Sequence, residues 1–126
     1  MRASLVVGMA LMVLGGQAGL ADTAPKIADV KIKRDSPEQV GIYHIVVTIE
    51  HQDAGWEDYV DAWEVVSADG QVLGSRPFFE PELEKATTVS ALAGVVIPTD
   101  VETVTIRTRT HPDGYKGEPV EVAIPH

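Results

Sequence analysis

Acidic and imidazole side chains gather in a few short stretches of this sequence, and their chemistry is that of a cation site. Residues 50–64 contain six acids and no lysine or arginine. Carboxylate oxygens suit hard cations such as Ca²⁺, and imidazole suits transition metals. The spacing is not that of an EF-hand loop, so a solvated acidic face is the alternative interpretation. The candidate ligands are Asp58, Glu80, Glu82, His51 and His111.

Aromatic side chains flank these charges and provide a second kind of chemistry, that of a contact surface. They are Trp56, Tyr59, Phe79 and Tyr115. Large amphipathic rings are common at sites where proteins bind partners. The alternative is that Trp56 and Tyr59 only pack their loop over the end of the domain, and that the two histidines are ordinary strand-end residues.

Catalytic motifs are absent from the sequence. It contains neither a Gly-x-Ser-x-Gly elbow nor a His-Glu-x-x-His motif. It has no cysteine, which excludes thiol catalysis, iron–sulfur clusters and disulfides. The formal net charge of −9, without a basic cluster, argues against nucleic-acid binding. We therefore predict a non-enzymatic protein without a cofactor, a divalent cation being the one candidate.

The first 21 residues have the three-part pattern of a secretory signal. Arg2 supplies the positive charge, residues 5–14 form an apolar run, and Gly19 and Ala21 place small residues before the cleavage point. A run of ten apolar residues is well short of the ~20 that span a bilayer. We predict cleavage after Ala21, no stable membrane insertion afterwards, and a periplasmic or secreted domain over residues 22–126.

Short alternating segments follow one another through this mature part, with no sustained helical period. In residues 43–49 every second side chain is apolar, which is typical of a strand with one buried face. Asp69-Gly70 between apolar segments predicts a hairpin, and Gly94 suggests a bulge. The seven predicted strands are 30–33, 40–50, 62–67, 71–75, 88–97, 101–110 and 118–124. This all-β pattern predicts an immunoglobulin-like or fibronectin type III-like antiparallel β-sandwich.

The connections between these strands fall into two sets, because successive loops of such a sandwich alternate between its ends. The loops after the second, fourth and sixth strands are long and contain the acids, histidines and aromatic residues named above. The other loops are short and contain no histidine or aromatic residue. Asp58, Glu80 and Glu82 are therefore expected at one end. The predicted core consists of Tyr43, Ile45, Val47, Ile49, Trp63, Val65, Leu92, Val104, Ile106, Val120 and Val122.

The sequence resembles a group of small secreted bacterial proteins of unassigned function. The resemblance lies in G-W-E-D-Y-x-D-A-W-E-V from Gly55, D-G-x-V-L-G-x-R from Asp69, L-x-G-V-x-I-P from Leu92 and G-Y-x-G from Gly114. It implies export and the sandwich fold. The group tends to have histidine at the positions of Asp58, Glu80 and Glu82. Carboxylates at these positions argue against a copper or zinc site here.

Two functions are consistent with these features. The first is a small exported binding module that uses the loops at one end of the sandwich to contact an unknown protein or small ligand. The alternative is a periplasmic cation-binding protein.

Overall fold

The computed structural model describes residues 24–125, and these form two antiparallel sheets packed face to face. The predicted leader, residues 1–21, lies outside the described residues. Within the described range there are strands and turns and no helix. The strands are β1 (Lys26–Arg34), β2 (Ile42–Glu50), β3 (Tyr59–Val66), β4 (Val72–Pro77), β5 (Thr87–Val96), β6 (Thr103–His111), β7 (Gly114–Tyr115) and β8 (Val120–Ala123). The prediction of an all-β sandwich is confirmed.

The first sheet has the order β1-β2-β5 and the second the order β4-β3-β6-β7, with β8 also paired to β6. All strand pairs are antiparallel. Both sheets therefore contain strands that are distant in sequence, since β5 joins β2 and β6 joins β3. Because each sheet combines early and late strands, the two sheets pack around a single core.

The core lies between the sheets and is centred on Trp63, whose side chain has no exposed surface. Eight of the eleven predicted core residues are buried, and Leu92, Val120 and Val122 are only partly buried. Those three lie on β5 and β8, which border only one strand each, so less of their surface is covered. Ile27, Val60, Val95, Ile97 and Ile124 complete the core cluster.

Two local irregularities follow from glycines in the left-handed region of backbone conformation. Gly94, with φ of 71°, lies where β5 has one residue more than β2, which confirms the predicted bulge. Gly70, with φ of 90°, completes the predicted hairpin between β3 and β4. Only glycine adopts such values without strain.

Candidate functional site

Three connections meet at one end of the sandwich, which we call the loop end: residues 51–58, residues 78–86 and the β6–β7 turn. The side chain of Gln52 donates a hydrogen bond to the carbonyl of Leu83 at 3.2 Å. The backbone N–H of His51 donates to the carbonyl of Ala86 at 2.9 Å. The ring of Tyr59 lies 5.8 Å from that of His111. The alternation of strand direction thus brings together the loops that the sequence predicted to meet.

A buried histidine–aspartate pair holds the first two loops together. His51 Nδ1 lies 2.6 Å from Asp53 Oδ1, and the two side chains are only 2% and 7% exposed. Asp53 also accepts hydrogen bonds from the backbone N–H of Val60 at 3.3 Å and of Glu82 at 2.7 Å. Asp53 thus makes hydrogen bonds through both of its oxygens and ties residues 51–53 to the start of β3 and to the loop at Glu82.

The other ring nitrogen of His51 is directed towards Asp58. Nε2 lies 3.5 Å from Asp58 Oδ1 and makes no hydrogen bond to any residue in the range 24–125. It is fully shielded from solvent. Since no hydroxyl of the described chain is bonded to it, the imidazole is oriented by a carboxylate but is not coupled to a nucleophile.

A cleft of about 600 Å³ opens beside this pair, between the edges of the two sheets. Ile49 and Val60 contribute apolar surface, and the guanidinium of Arg76 lies 5.4 Å from the ring centre of Phe78 on one side. Ser90 lies on the other side, where its hydroxyl accepts a 2.9 Å hydrogen bond from Trp63 Nε1. The remaining lining residues are His51, Asp53, Pro77, Phe79, Glu80, Pro81, Glu82, Thr88, Val89 and Ala91.

The five predicted cation ligands all lie near the loop end but do not form a compact ligand set. Asp58 is beside His51, whereas the exposed Glu80 and Glu82 line the cleft. His111 is exposed and contacts the ring of Tyr59. Across residues 24–125, no three His, Asp or Glu side chains come together closely enough to hold an ion.

The four aromatic residues predicted as a contact surface have different environments. Trp56 and Phe79 are exposed, at 63% and 81%. Tyr59 is buried, and its ring makes an edge-to-face contact with that of Trp56, with ring centres 5.7 Å apart, as expected if these two rings pack their loop over the end of the domain. Tyr115 is half exposed but covers the outer face of the second sheet, where its ring lies 4.0 Å from the guanidinium carbon of Arg107.

Charged residues on that outer face form a cluster that sequence reasoning missed. Arg107 Nη2 lies 2.8 Å from Glu64, and the hydroxyl of Tyr115 donates to the same carboxylate at 3.2 Å. Next to them, Arg109 bonds Asp61 at 2.8 Å, and this hydrogen bond raises the pKa of Arg109. The sequence contained a sign of this cluster, since Arg107 and Arg109 both lie on the solvent-facing side of a predicted strand.

No helix within residues 24–125 has the length and apolar character needed to cross a membrane. Comparison of the chain with protein-family models, with curated proteins and with solved structures finds no match.

Proposed function

We propose that the chain is a small exported, non-enzymatic binding module that contacts an unknown protein or small ligand at its loop end. The cleft of about 600 Å³ carries the proposal. Ligand sites are typically clefts of about 300–1,000 Å³ with apolar walls and a few polar groups. The exposed rings of Trp56 and Phe79 lie at the same end and extend the candidate surface.

The scaffold belongs to the same proposal, as an immunoglobulin-like or fibronectin type III-like sandwich. Strand order supports it, because sheets β1-β2-β5 and β4-β3-β6 correspond to the A-B-E and C′-C-F strands of such domains. The fourth strand pairs with the third instead of joining the first sheet. That pairing favours the fibronectin type III arrangement over the constant-type immunoglobulin one, which has four strands in its first sheet.

A structural role of the His51–Asp53 pair supports the non-enzymatic part. Asp53 joins two loops through three hydrogen bonds, and Nε2 of His51 is shielded from solvent. A catalytic imidazole must instead reach its substrate within hydrogen-bond distance. The leader pattern supports a periplasmic or secreted location, and the net charge of −9 argues against nucleic acid as the partner.

Site-specific photo-crosslinking in the producing cell tests this function. Benzoylphenylalanine at the position of Phe79 or Trp56 is expected to give discrete adducts after irradiation. The matched control is the position of Val40, an apolar side chain that is 66% exposed on the β1–β2 connection at the opposite end. Equal adduct yields at both ends, or adducts at Val40 alone, would contradict the proposal.

The cation-binding alternative is favoured by one contact, the 3.5 Å approach of Asp58 to His51. A bound cation stabilises the fold by an amount that grows with the logarithm of its concentration above the dissociation constant, whereas an interaction surface does not require one. Thermal melts with Ca²⁺, Cu²⁺, Zn²⁺ and Ni²⁺, with chelator controls, separate the two functions. Under the cation hypothesis, Asp58→Asn abolishes the shift. If no ion shifts the melt of the unmodified protein, cation binding is excluded.

A further inference from the structure

Strand β5 is the less protected edge of the first sheet. It ends the order β1-β2-β5, so one side of its backbone has no strand partner within residues 24–125. Its ten residues include no charge and no proline. The opposite edge, β1, has Lys26, Lys31, Lys33 and Arg34 and a bulge, features that keep edge strands from pairing. The second half of β5 contains the bulge at Gly94 and packs against β4, where Gly74 lies close to the side chains of Leu92 and Val95. Within residues 24–125, the sheet is therefore open to a further strand along the first half of β5.

The cleft lies along the first half of this edge. Thr88, Val89, Ser90 and Ala91 form one side of it, and the end of β4 with Phe78 forms the other. The free edge of a strand presents alternating N–H and C=O groups at a fixed spacing. An extended polypeptide satisfies such a row along its whole length, whereas a small molecule satisfies one or two of its groups.

Side chains around the cleft define which polypeptide fits. Phe78, Phe79 and Val89 are partly or largely exposed along the cleft and offer apolar surface to side chains of an added strand. Glu80 and Glu82 are exposed at the loop end of the cleft and favour a positive charge there. A second copy of this chain fits less well, since two molecules of net charge −9 repel each other.

We propose that the cleft binds an extended polypeptide segment as an added strand on the first half of β5, with apolar residues against Phe78, Phe79 and Val89 and a lysine or arginine beside Glu80 and Glu82. This inference rests on the proposed function and specifies its ligand. The backbone of β5 supplies affinity, and the apolar and acidic groups supply the preference for sequence.

Selection of a displayed library of random linear octapeptides on the purified protein tests the inference. Enriched peptides are expected to alternate β-branched or aromatic residues with others and to contain lysine or arginine. Bound peptide is expected to slow amide exchange in residues 87–91, and exchange in β8 serves as the internal reference. If no peptide is enriched, or if β5 is not protected, the inference is overturned.

N-methylation of the enriched peptide distinguishes an added strand from other modes of binding. Only alternate amides of a paired strand donate to its neighbour. Methylation of one alternate set is expected to weaken binding about tenfold per amide, the effect of one lost hydrogen bond, and methylation of the other set to leave affinity unchanged. Equal losses for both sets would overturn strand addition but not binding at the loop end, which the crosslinking tests separately.

Charge substitutions complete the test. Glu80→Gln with Glu82→Gln is expected to weaken binding of the basic peptide about threefold, because charge pairs at exposed positions contribute little. Glu118→Gln with Glu121→Gln removes the same charge at the far edge of the other sheet and is expected to leave affinity unchanged. Equal losses of affinity in the two double variants would contradict the contact with Glu80 and Glu82. Concentration-dependent dimers that protect β5 without peptide would assign the edge to a second copy and overturn the inference.

Discussion

Trp63 connects the two sheets both by the packing of its large ring and by a hydrogen bond from its indole N–H. It lies on β3 in the second sheet, and its indole N–H donates to Ser90 on β5 in the first. Both partners are buried. An unpaired buried donor costs about 1–3 kcal/mol, so this one bond matters to the interior beside the cleft.

Trp63→Ala is expected to lower the free energy of unfolding by about 3–5 kcal/mol, because a large ring is removed from a core that cannot close around the gap. Ser90→Ala leaves the indole N–H without its acceptor and is expected to cost about 1–3 kcal/mol. Urea unfolding measures both values. Ser75→Ala, at an exposed position on β4, is the control and is expected to change stability by no more than about 0.5 kcal/mol. A loss below about 1 kcal/mol for Trp63→Ala would contradict its central place in the core.

Asp69 in the β3–β4 hairpin provides a test by pH. The Ser67 hydroxyl donates to its carboxylate, and this hydrogen bond, followed by that of the Gln71 backbone, lowers the pKa of Asp69 below its ordinary value. Because the folded pKa is the lower one, the stabilisation is complete above the unfolded pKa and is lost as pH falls through the folded pKa. An NMR titration of the carboxyl carbon is expected to show the lowered value, and Ser67→Ala is expected to raise it. The same midpoint in both proteins would contradict the assigned cause.

Among the strands and loops, the buried residues were predicted best from the sequence where apolar and polar side chains alternate regularly. Tyr43, Ile45, Val47 and Ile49 form one buried face of β2, as expected. β1 was predicted as four residues but spans nine, because a register shift between Ile27 and Asp29 interrupts its alternation. β7 was missed, since two residues are too few to show any period.

The loops were predictable in their placement but not in their contacts. Strand direction alone determines that residues 51–58 and 78–86 share an end. Whether His51 turns to Asp53 depends on the path of the loop backbone, and no sequence spacing encodes that path. Tyr59 was a candidate for either the contact surface or the packing of its loop, and it is the buried first residue of β3.

Asp53→Ala is expected to destabilise the domain by about 3 kcal/mol, because it removes a buried carboxylate that accepts three hydrogen bonds and leaves His51 without its partner. Amide exchange is expected to accelerate most in residues 51–58 and 78–86. Glu84→Ala removes an exposed acid from the same end and serves as the control. Equal effects of the two substitutions would show that the pair does not hold the loops.

The outer face of the second sheet contains an ion pair that is worth more than a surface pair. The Glu64 side chain is 11% exposed and contacts both Arg107 and Tyr115. A double-mutant cycle with Glu64→Gln and Arg107→Met is expected to give a coupling energy of about 1–2 kcal/mol. The reference cycle uses Asp29 and Lys31, which are 50% and 76% exposed, and is expected to give less than about 0.5 kcal/mol. Equal coupling in the two cycles would contradict the difference in burial.

At the scale of the whole molecule, the domain relies on its core rather than on covalent links. The chain has no cysteine, so no disulfide supports the sheets in any compartment. Two sheets with one shared core bury enough surface for a domain of this length to fold without such a link.

The protein recovered from the producing cell is expected to begin at Asp22, because Gly19 and Ala21 place small residues at the positions that signal cleavage requires. Intact-mass spectrometry measures this directly. Ala21→Leu provides the matched variant and is expected to block or shift the cleavage. Recovery of the chain with Met1 intact in the membrane fraction would contradict the prediction.

The strand order also determines when the molecule can fold. Glu64 and Arg107, which meet on neighbouring strands, are 43 positions apart in sequence. In the first sheet, β2 likewise pairs with β5, which comes much later in the chain. Domains dominated by such distant pairings fold in milliseconds to seconds, more slowly than helical ones. Neither sheet can be completed until the last third of the chain is available. Under the proposed export with the amino terminus leading, this delay would keep the strands unpaired during passage and postpone folding to the far side of the membrane.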